Sequence, residues 1–280
     1  MGLHMRLPGG EGSPLSETSR YTLGMPHLCP NGLSENWLWK ELGHRHWGLI
    51  AEIFGRGAAG FDPSGEQPTY AAFRRIALHG GDLGSVREND TIDVRSTLTH
   101  LSETRVTSRH VVGHLNRLVA DVGMTSVFVR RQTEGRNSSI ARVRLEHRDR
   151  LALPATGGAS QLRDAGDVFR ADDSCDDERE VGALAIEPCP QLDFNGAGLL
   201  YFSSFIAAVD RAEWHLLGKG KRLYATRERR VVFHANIEVG DTLTVRILLK
   251  RDGVVRRHRA LVCASADGKP LAEIETHRVT

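Results

Sequence analysis

The sequence predicts an α+β protein built of two similar halves, and three observations predict it. Two segments carry long helical apolar patterns, each is followed by β-rich sequence with turn signals, and a short motif recurs at corresponding places in the halves. In the first half, NGLSENWLWKELGHRHWGLIAEIFG, from Asn31, sets Leu33, Trp37, Leu38 and Leu42 on one helical stripe. In the second, NGAGLLYFSSFIAAVDRAEWHLLG, from Asn195, does the same with Phe202, Phe205, Ile206 and Val209. Both segments open on Asn-Gly and carry a late tryptophan, Trp47 and Trp214. The recurring motif is ENDTIDVRS (Glu88 to Ser96) and VGDTLTVRI (Val239 to Ile247), which sets Asp90 opposite Asp241.

Along the chain, residues 1–20 have no apolar core of signal-peptide length and read as a disordered leader. Residues 21–154 form the first unit. After its helix, GEQPTYAAFRRIAL reads as a strand whose alternation puts Tyr70, Ala72, Arg74 and Ile76 on one face. From Ser126, SVFVRRQTEGRNSSIARVRLEH is two strands around a polar EGRN turn. Residues 155–184 are rich in Gly, Ser and Asp and read as a linker or long loop. Residues 185–280 form the second unit, whose strands are joined by Val-Gly-Asp, Arg-Asp-Gly and Ala-Asp-Gly-Lys turns. One long helix followed by a meandering antiparallel sheet, twice over, is the plan of a double hotdog: two fused units, each a central helix wrapped by a sheet.

Lys+Arg 37 against Asp+Glu 35 gives a net charge of +2, which argues against a nucleic-acid coat and makes any basic surface local. No run of about 18 apolar residues exists to cross a membrane as a helix, so the expected location is the cytoplasm. Cys29, Cys175, Cys189 and Cys263 are scattered, without the spacing of a disulfide framework or a zinc site. His44 and His46 stand two apart, which does not place them on one helix face, and no third ligand has convincing spacing.

The segment GMPHLCPNGLSENWLWKELGHRHW (Gly24 to Trp47), the Tyr70 strand and NGAGLLYFSSFIAAVDRAE together resemble the double-hotdog family of the bifunctional acyltransferase/decarboxylase of leinamycin-type polyketide biosynthesis. The likeness spans nearly the whole chain except the leader and linker. It implies an enzyme that takes methylmalonyl-coenzyme A, passes the acyl group to an acyl carrier protein and releases carbon dioxide. It also implies that Tyr70, within DPSGEQPTY, is the key residue, and that neither metal, biotin nor redox cofactor is used. The stretch GLSENWLWKELG departs from the family's pattern, which puts substrate choice in doubt.

Losing carbon dioxide from a malonyl-type thioester leaves an enolate, so the site must hold negative charge on the thioester oxygen. Backbone N–H groups at a helix N-terminus do so without a metal. Gly32 and Leu33, or Gly196 to Leu199, are the candidate donors, and Asn31 and Asn195 stand where caps or simple turns also explain them. Ser34, Glu35 and Asn36 either project polar groups into a cleft or only favour the first helical turn. Tyr70 is either a packing aromatic on a half-buried strand or a phenol that relays the acyl group or donates to its carbonyl, with Arg74 close enough to activate it. Asp210, Arg211 and Glu213 read as ion-pair partners, or as the source of a hydrolase's general base. Two basic runs, Lys219 to Arg230 and Arg256 to Arg259, suit either an acidic carrier protein and coenzyme A phosphates or solvated strand edges. The rivals to a transferase are a hotdog thioesterase or dehydratase on acyl-CoA or acyl-carrier substrates, and a non-catalytic acyl-thioester binding protein. Neither half is singled out as the working one, and a homodimer is left open.

Overall fold

A computed structural model describes residues 3–6, 15–53, 68–102, 104–144, 178–218, 224–250 and 257–279. The chain divides into two compact units. The first holds the described residues of 1–130 and 141–171, the second those of 131–140 and 172–280. An arm from the middle of the sequence, Arg131–Ile140, thus belongs with the second unit, whereas the sequence placed it within 21–154.

In the first unit the strands are β1 (Leu3–Arg6), β2 (Ser16–Thr22), the short β3 (Leu28–Cys29) and β4 (Gly32–Leu33), β5 (Tyr70–His79), β6 (Thr91–Leu101), β7 (Arg105–His114), β8 (Arg117–Arg131) and β9 (Ile140–Arg142). The sheet runs β1-β2-β6-β7-β8-β5, with antiparallel neighbours. Helix α1 (Glu35–Ile53) lies on one face of it, burying Leu38, Leu42, Leu49 and Ile50. Leu49 and Ile50 pack with Ala71, Leu98, Val106 and Phe128. The second unit has β10 (Glu178–Ile186), helix α2 (Phe202–Leu217), β11 (Ala225–Phe233), β12 (Leu243–Lys250), β13 (Arg257–Ala264) and β14 (Pro270–Val279). Its order is β11-β14-β13-β12-β10, again antiparallel. Helix α2 buries Phe202, Phe205, Ile206 and Val209, with Phe205 edge-on to Phe233 at 5.6 Å. Each such aromatic or aliphatic side chain taken from water contributes roughly 1.5–3 kcal/mol.

The two orders map strand for strand, β2-β6-β7-β8-β5 onto β10-β12-β13-β14-β11. The recurring motif is equivalent down to its hydrogen bonds. Arg87 N donates to Asp90 Oδ2 (2.7 Å) while Asp90 N donates back to Arg87 O; Glu238 N and Asp241 do likewise (2.9 Å). The residue before each aspartate has positive φ, Asn89 at 69° and Gly240 at 95°, which Asn and Gly tolerate best.

Three expectations change. Residues 3–6 and 16–20, assigned to the leader, belong to strands β1 and β2, and β2 pairs with β6 from Ser16↔Thr97 to Thr22↔Thr91. Its side chains are mostly polar, so no apolar alternation marked it. Both helices also start later than Asn31 and Asn195, at Glu35 and Phe202, because each Asn-Gly turns the chain before the helix rather than beginning it. Residues 178–184, assigned to the linker, are part of strand β10 and pair with β12; residues 155–177 of the linker, and 219–223 and 256 of the basic runs, lie outside the described residues. Among the described residues no helix is long and apolar enough to cross a membrane.

Candidate active site

At the amino end of α1 the chain makes the β3–β4 hairpin, with Leu28 opposite Leu33 and Cys29 opposite Gly32. Asn31 sits in its turn, where its Oδ1 accepts from the Cys29 thiol (2.8 Å). The cap is Ser34 instead: its Oγ accepts from Trp37 N (3.3 Å) and its carbonyl from Leu38 N (2.9 Å). Glu35 is buried and accepts from Trp39 Nε1 (3.0 Å). Gly32 and Leu33 are therefore hairpin residues rather than donors of the helix end. Gly32, at φ 121°, lies so close to the Leu83–Ser85 turn that a Cβ there would fall 2.2 Å from Leu83 O. Gly32→Ala is expected to cost about 2–4 kcal/mol, seen as a lower Tm; an unchanged Tm would show that the hairpin moves aside freely.

The end of α2 is built differently. Asn195 Oδ1 accepts from Ala197 N (3.0 Å) and Leu199 N (3.1 Å), and its carbonyl from Gly198 N, so it organises the loop before the helix. Gly196 is exposed in that loop. Asn236 donates to Leu200 O (3.0 Å) and accepts from Leu200 N (2.9 Å). Buried Asn137, on the Arg131–Ile140 arm, donates to Gly198 O (2.8 Å) and Ile237 O (2.6 Å) and accepts from Arg131 Nε (3.0 Å). The amides of Asn137 and Ser138 donate to Glu238, holding its carboxyl below the usual range although burial works the other way. Asp193 O accepts from Tyr201 N (2.8 Å) and Ser204 Oγ (3.0 Å), and its carboxylate accepts from Cys189 N (2.9 Å). No side chain caps α2: its N-cap is Tyr201, whose phenol burial pushes up to about 12. In its first turn Ser203 is 1 % exposed, and its Oγ has no hydrogen-bond partner among the described residues.

Tyr70 starts β5 opposite Val129. Ala71 and Phe128, one residue along each strand, pack against Leu49 and Ile50 of α1, so Tyr70 and Val129 point to the other face of the sheet. Leu49 is fourteen residues beyond Glu35, roughly 21 Å up the helix. The structure therefore does not bring Tyr70 together with Asn31, Gly32, Leu33 or Ser34. A bulge at Arg74 also breaks the expected alternation, since Phe73 pairs with Ser126 and Arg75 with Thr125. Arg75 joins Tyr70 and Ala72 on the outer face, and Ile76 turns to the helix. Burial, Arg142 and Arg75 together lower the pKa of Arg74.

Beneath the middle of each helix lies a buried polar network. His44 is exposed but His46 is fully buried, bonded through Nδ1 to Ser108 Oγ (2.6 Å) and through Nε2 to Ser126 Oγ (2.8 Å). Ser108 continues to His110 (2.8 Å), and His110 to Ser96 (2.8 Å). Burial pushes His46 down to about 3 and His110 well below its usual value, so both are neutral. In the second unit Ser108 is replaced by His258 and Ser126 by Arg278, as the pairs Val94–Val112 and Val245–Val262 fix. There Arg278 binds Glu213 (2.8 Å) and Asp210 (2.6 Å), and Arg229 binds Asp210 (2.8 Å). Asp210 is held low by the two guanidinium groups against its burial, and Asp210 and Glu213 are thus engaged in ion pairs. Burial outweighs nearby Glu213 and lowers His258 to about 4.

Asp193, Ser203, Asn137 and Asn236 escaped the sequence reading. Asp193 stands two residues before Asn195 and was within reach of it; Asn137 was not, since its partners lie 61 and 100 positions away.

No family model matches the sequence, and the search of curated proteins finds no match. Solved structures do match. The 12:0-ACP thioesterase from Umbellularia californica superposes with a TM-score of 0.63 at 10% identity, over 94% of this chain and 97% of that one. An acyl-ACP thioesterase from Bacteroides thetaiotaomicron does so with 0.61 at 13%, over 94% and 98%. Identities this low speak to fold alone, and with the matching strand orders of the two units they make this chain an α+β double hotdog.

Proposed function

We propose that the protein is an enzyme acting on acyl thioesters of coenzyme A or of an acyl carrier protein, that its reaction is hydrolysis, and that the amino end of α2 is its site. One observation carries the choice of site. Of two equivalent helix ends, α1 is closed by a side-chain cap, whereas α2 has none and buries the Ser203 hydroxyl beside its first turn, with no hydrogen-bond partner among the described residues. Buried donors at a helix end call for an acceptor, and a thioester carbonyl is one. The names of the two similar structures, both acyl-carrier thioesterases, favour the same substrate class.

In this reading Ser203 N and Ser203 Oγ receive the carbonyl oxygen and hold the charge that develops on it. Asp193 takes a proton from the attacking water, whose oxygen bonds to the carbonyl carbon. The C–S bond then breaks and the thiolate recovers the proton, leaving a free acid and a thiol. Asn137, Asn195 and Asn236 fix the loop that presents these groups. No metal or redox cofactor enters.

A second reading, methylmalonyl transfer with decarboxylation at Tyr70, is favoured by the β5 bulge, which sets Arg75 on the tyrosine's face with Arg74 beside it. Two guanidinium groups suit a malonyl carboxylate. Incubation with dodecanoyl- and methylmalonyl-coenzyme A, with and without a carrier protein, and mass spectrometry of the products separates the readings. Free acid and thiol are expected. Propionyl carrier and carbon dioxide, both lost in Tyr70→Phe, would instead establish the second.

A further inference from the structure

The outer faces of the two sheets, those turned away from the helices, are equivalent in topology but not in charge. On the second unit's face glutamates match the arginines in number: Arg230 binds Glu275 (3.4 Å), Arg246 binds Glu180 (2.5 Å), and Arg259 binds both Glu178 and Glu273, while Arg257 is exposed beside them. Glu228 adds a further carboxylate there. The first unit's face carries Arg20 on β2, Arg95 on β6, Arg109 and Arg105 on β7 and Arg75 on β5, against only Asp93 and Asp121 among the described residues of these strands. Those two acids are taken by Arg20 (2.7 Å) and Arg109 (2.6 Å). Arg95 and Arg105 are exposed and meet no carboxylate among the described residues. At equivalent bulges β5 inserts Arg74 beside Arg75 and β11 inserts Arg227 beside Glu228, so only the first carries two guanidinium groups.

We propose that this outer face of the first unit's sheet docks an acidic acyl carrier protein, with Arg95 and Arg105 as its main contacts. The proposal rests on the reading of the protein as an acyl-thioester enzyme and adds where the carrier sits. Arg95 pairs with Val111, six residues along β7 from Arg105, so the two main contacts stand roughly 20 Å apart along the strands, the length of a helix of about 13 residues, and one acidic helix laid along β6 and β7 reaches both. Net charge over the chain is only +2, so the excess is concentrated here rather than general. The basic runs of the sequence supply a weaker face: of their described members Arg229 is buried, Arg230 and Arg259 are already paired, and the exposed Arg227 and Arg257 stand among the glutamates of the second unit.

The test measures binding of a dodecanoyl-loaded bacterial acyl carrier protein to wild type, to Arg95→Glu/Arg105→Glu and to Arg230→Glu/Arg246→Glu by fluorescence anisotropy at low and high salt. Arg95→Gln/Arg105→Gln and a Tm for each variant guard against misfolding. We expect the first-unit variants to bind at least about tenfold more weakly, wild-type binding to weaken with salt, and the second-unit variant to bind as wild type. Equal affinities in the two charge reversals, no binding by wild type, or tighter binding of a single-stranded oligonucleotide than of the carrier would overturn the proposal. Turnover of dodecanoyl-coenzyme A, which neither pair of substitutions should change, is read in parallel. A protein that hydrolyses it but ignores the carrier defeats the docking face alone; one that binds the carrier through these arginines yet turns over no thioester defeats the hydrolase reading alone.

Discussion

Asp193→Asn lowers kcat for thioester hydrolysis by about 10²–10⁴-fold and leaves KM within a few fold, because it removes a base while sparing the groups that bind the carbonyl. Asparagine keeps an acceptor for Cys189 N, and the main-chain oxygen that receives Tyr201 N and Ser204 Oγ is untouched, so the loop should keep its shape. Rates across pH, with Tm as the control for folding, decide the matter. A variant with normal Tm and normal kcat would remove Asp193 from the chemistry.

Acid is expected to destabilise the protein through its buried histidines. His46 is lowered from 6.5 to about 3, His258 to about 4, and His110 well below 6.5. Because each native value is depressed, no penalty exists above the unfolded value of about 6.5. Below it the unfolded chain binds protons that the native one refuses, and stability falls by about 1.4 kcal/mol per pH unit for each histidine until its native value is reached. His46 has no carboxylate to pay back its charge, only Ser108 and Ser126. His46→Leu should therefore cost about 2–4 kcal/mol at pH 7, by stranding two buried hydroxyls, and should make the stability curve between pH 6.5 and 4 shallower by about one proton. Urea midpoints measured across that range test both; an unaltered slope would mean that His46 does not stay neutral in the folded protein.

The likeness of the halves was legible because it rests on local chemistry. An aspartate closing a turn four residues long, followed by aliphatic alternation, dictates the same hairpin entry wherever it occurs, and Asp90 and Asp241 do so. Helical stripes such as Phe202, Phe205, Ile206 and Val209 announce a buried face with equal plainness. Strand β2 was missed because a strand held by backbone pairing to β6 needs no apolar signature. The facing of Arg74 and Ile76 was missed because one inserted residue reverses alternation, and nothing in AAFRRIAL marks where the insertion falls.

By itself, then, the sequence determined that two helix-and-sheet units exist and which residues line their cores, since periodicity and turn chemistry act over a few neighbouring positions. Only the tertiary structure decided which helix end is sealed and which is left uncapped, that Tyr70 faces away from α1, and that one outer face gathers more arginines than acids while the other balances them. Those properties depend on partners dozens of residues away, such as Asn137 with Gly198 and Ile237, whose meeting is fixed by packing rather than by spacing along the chain.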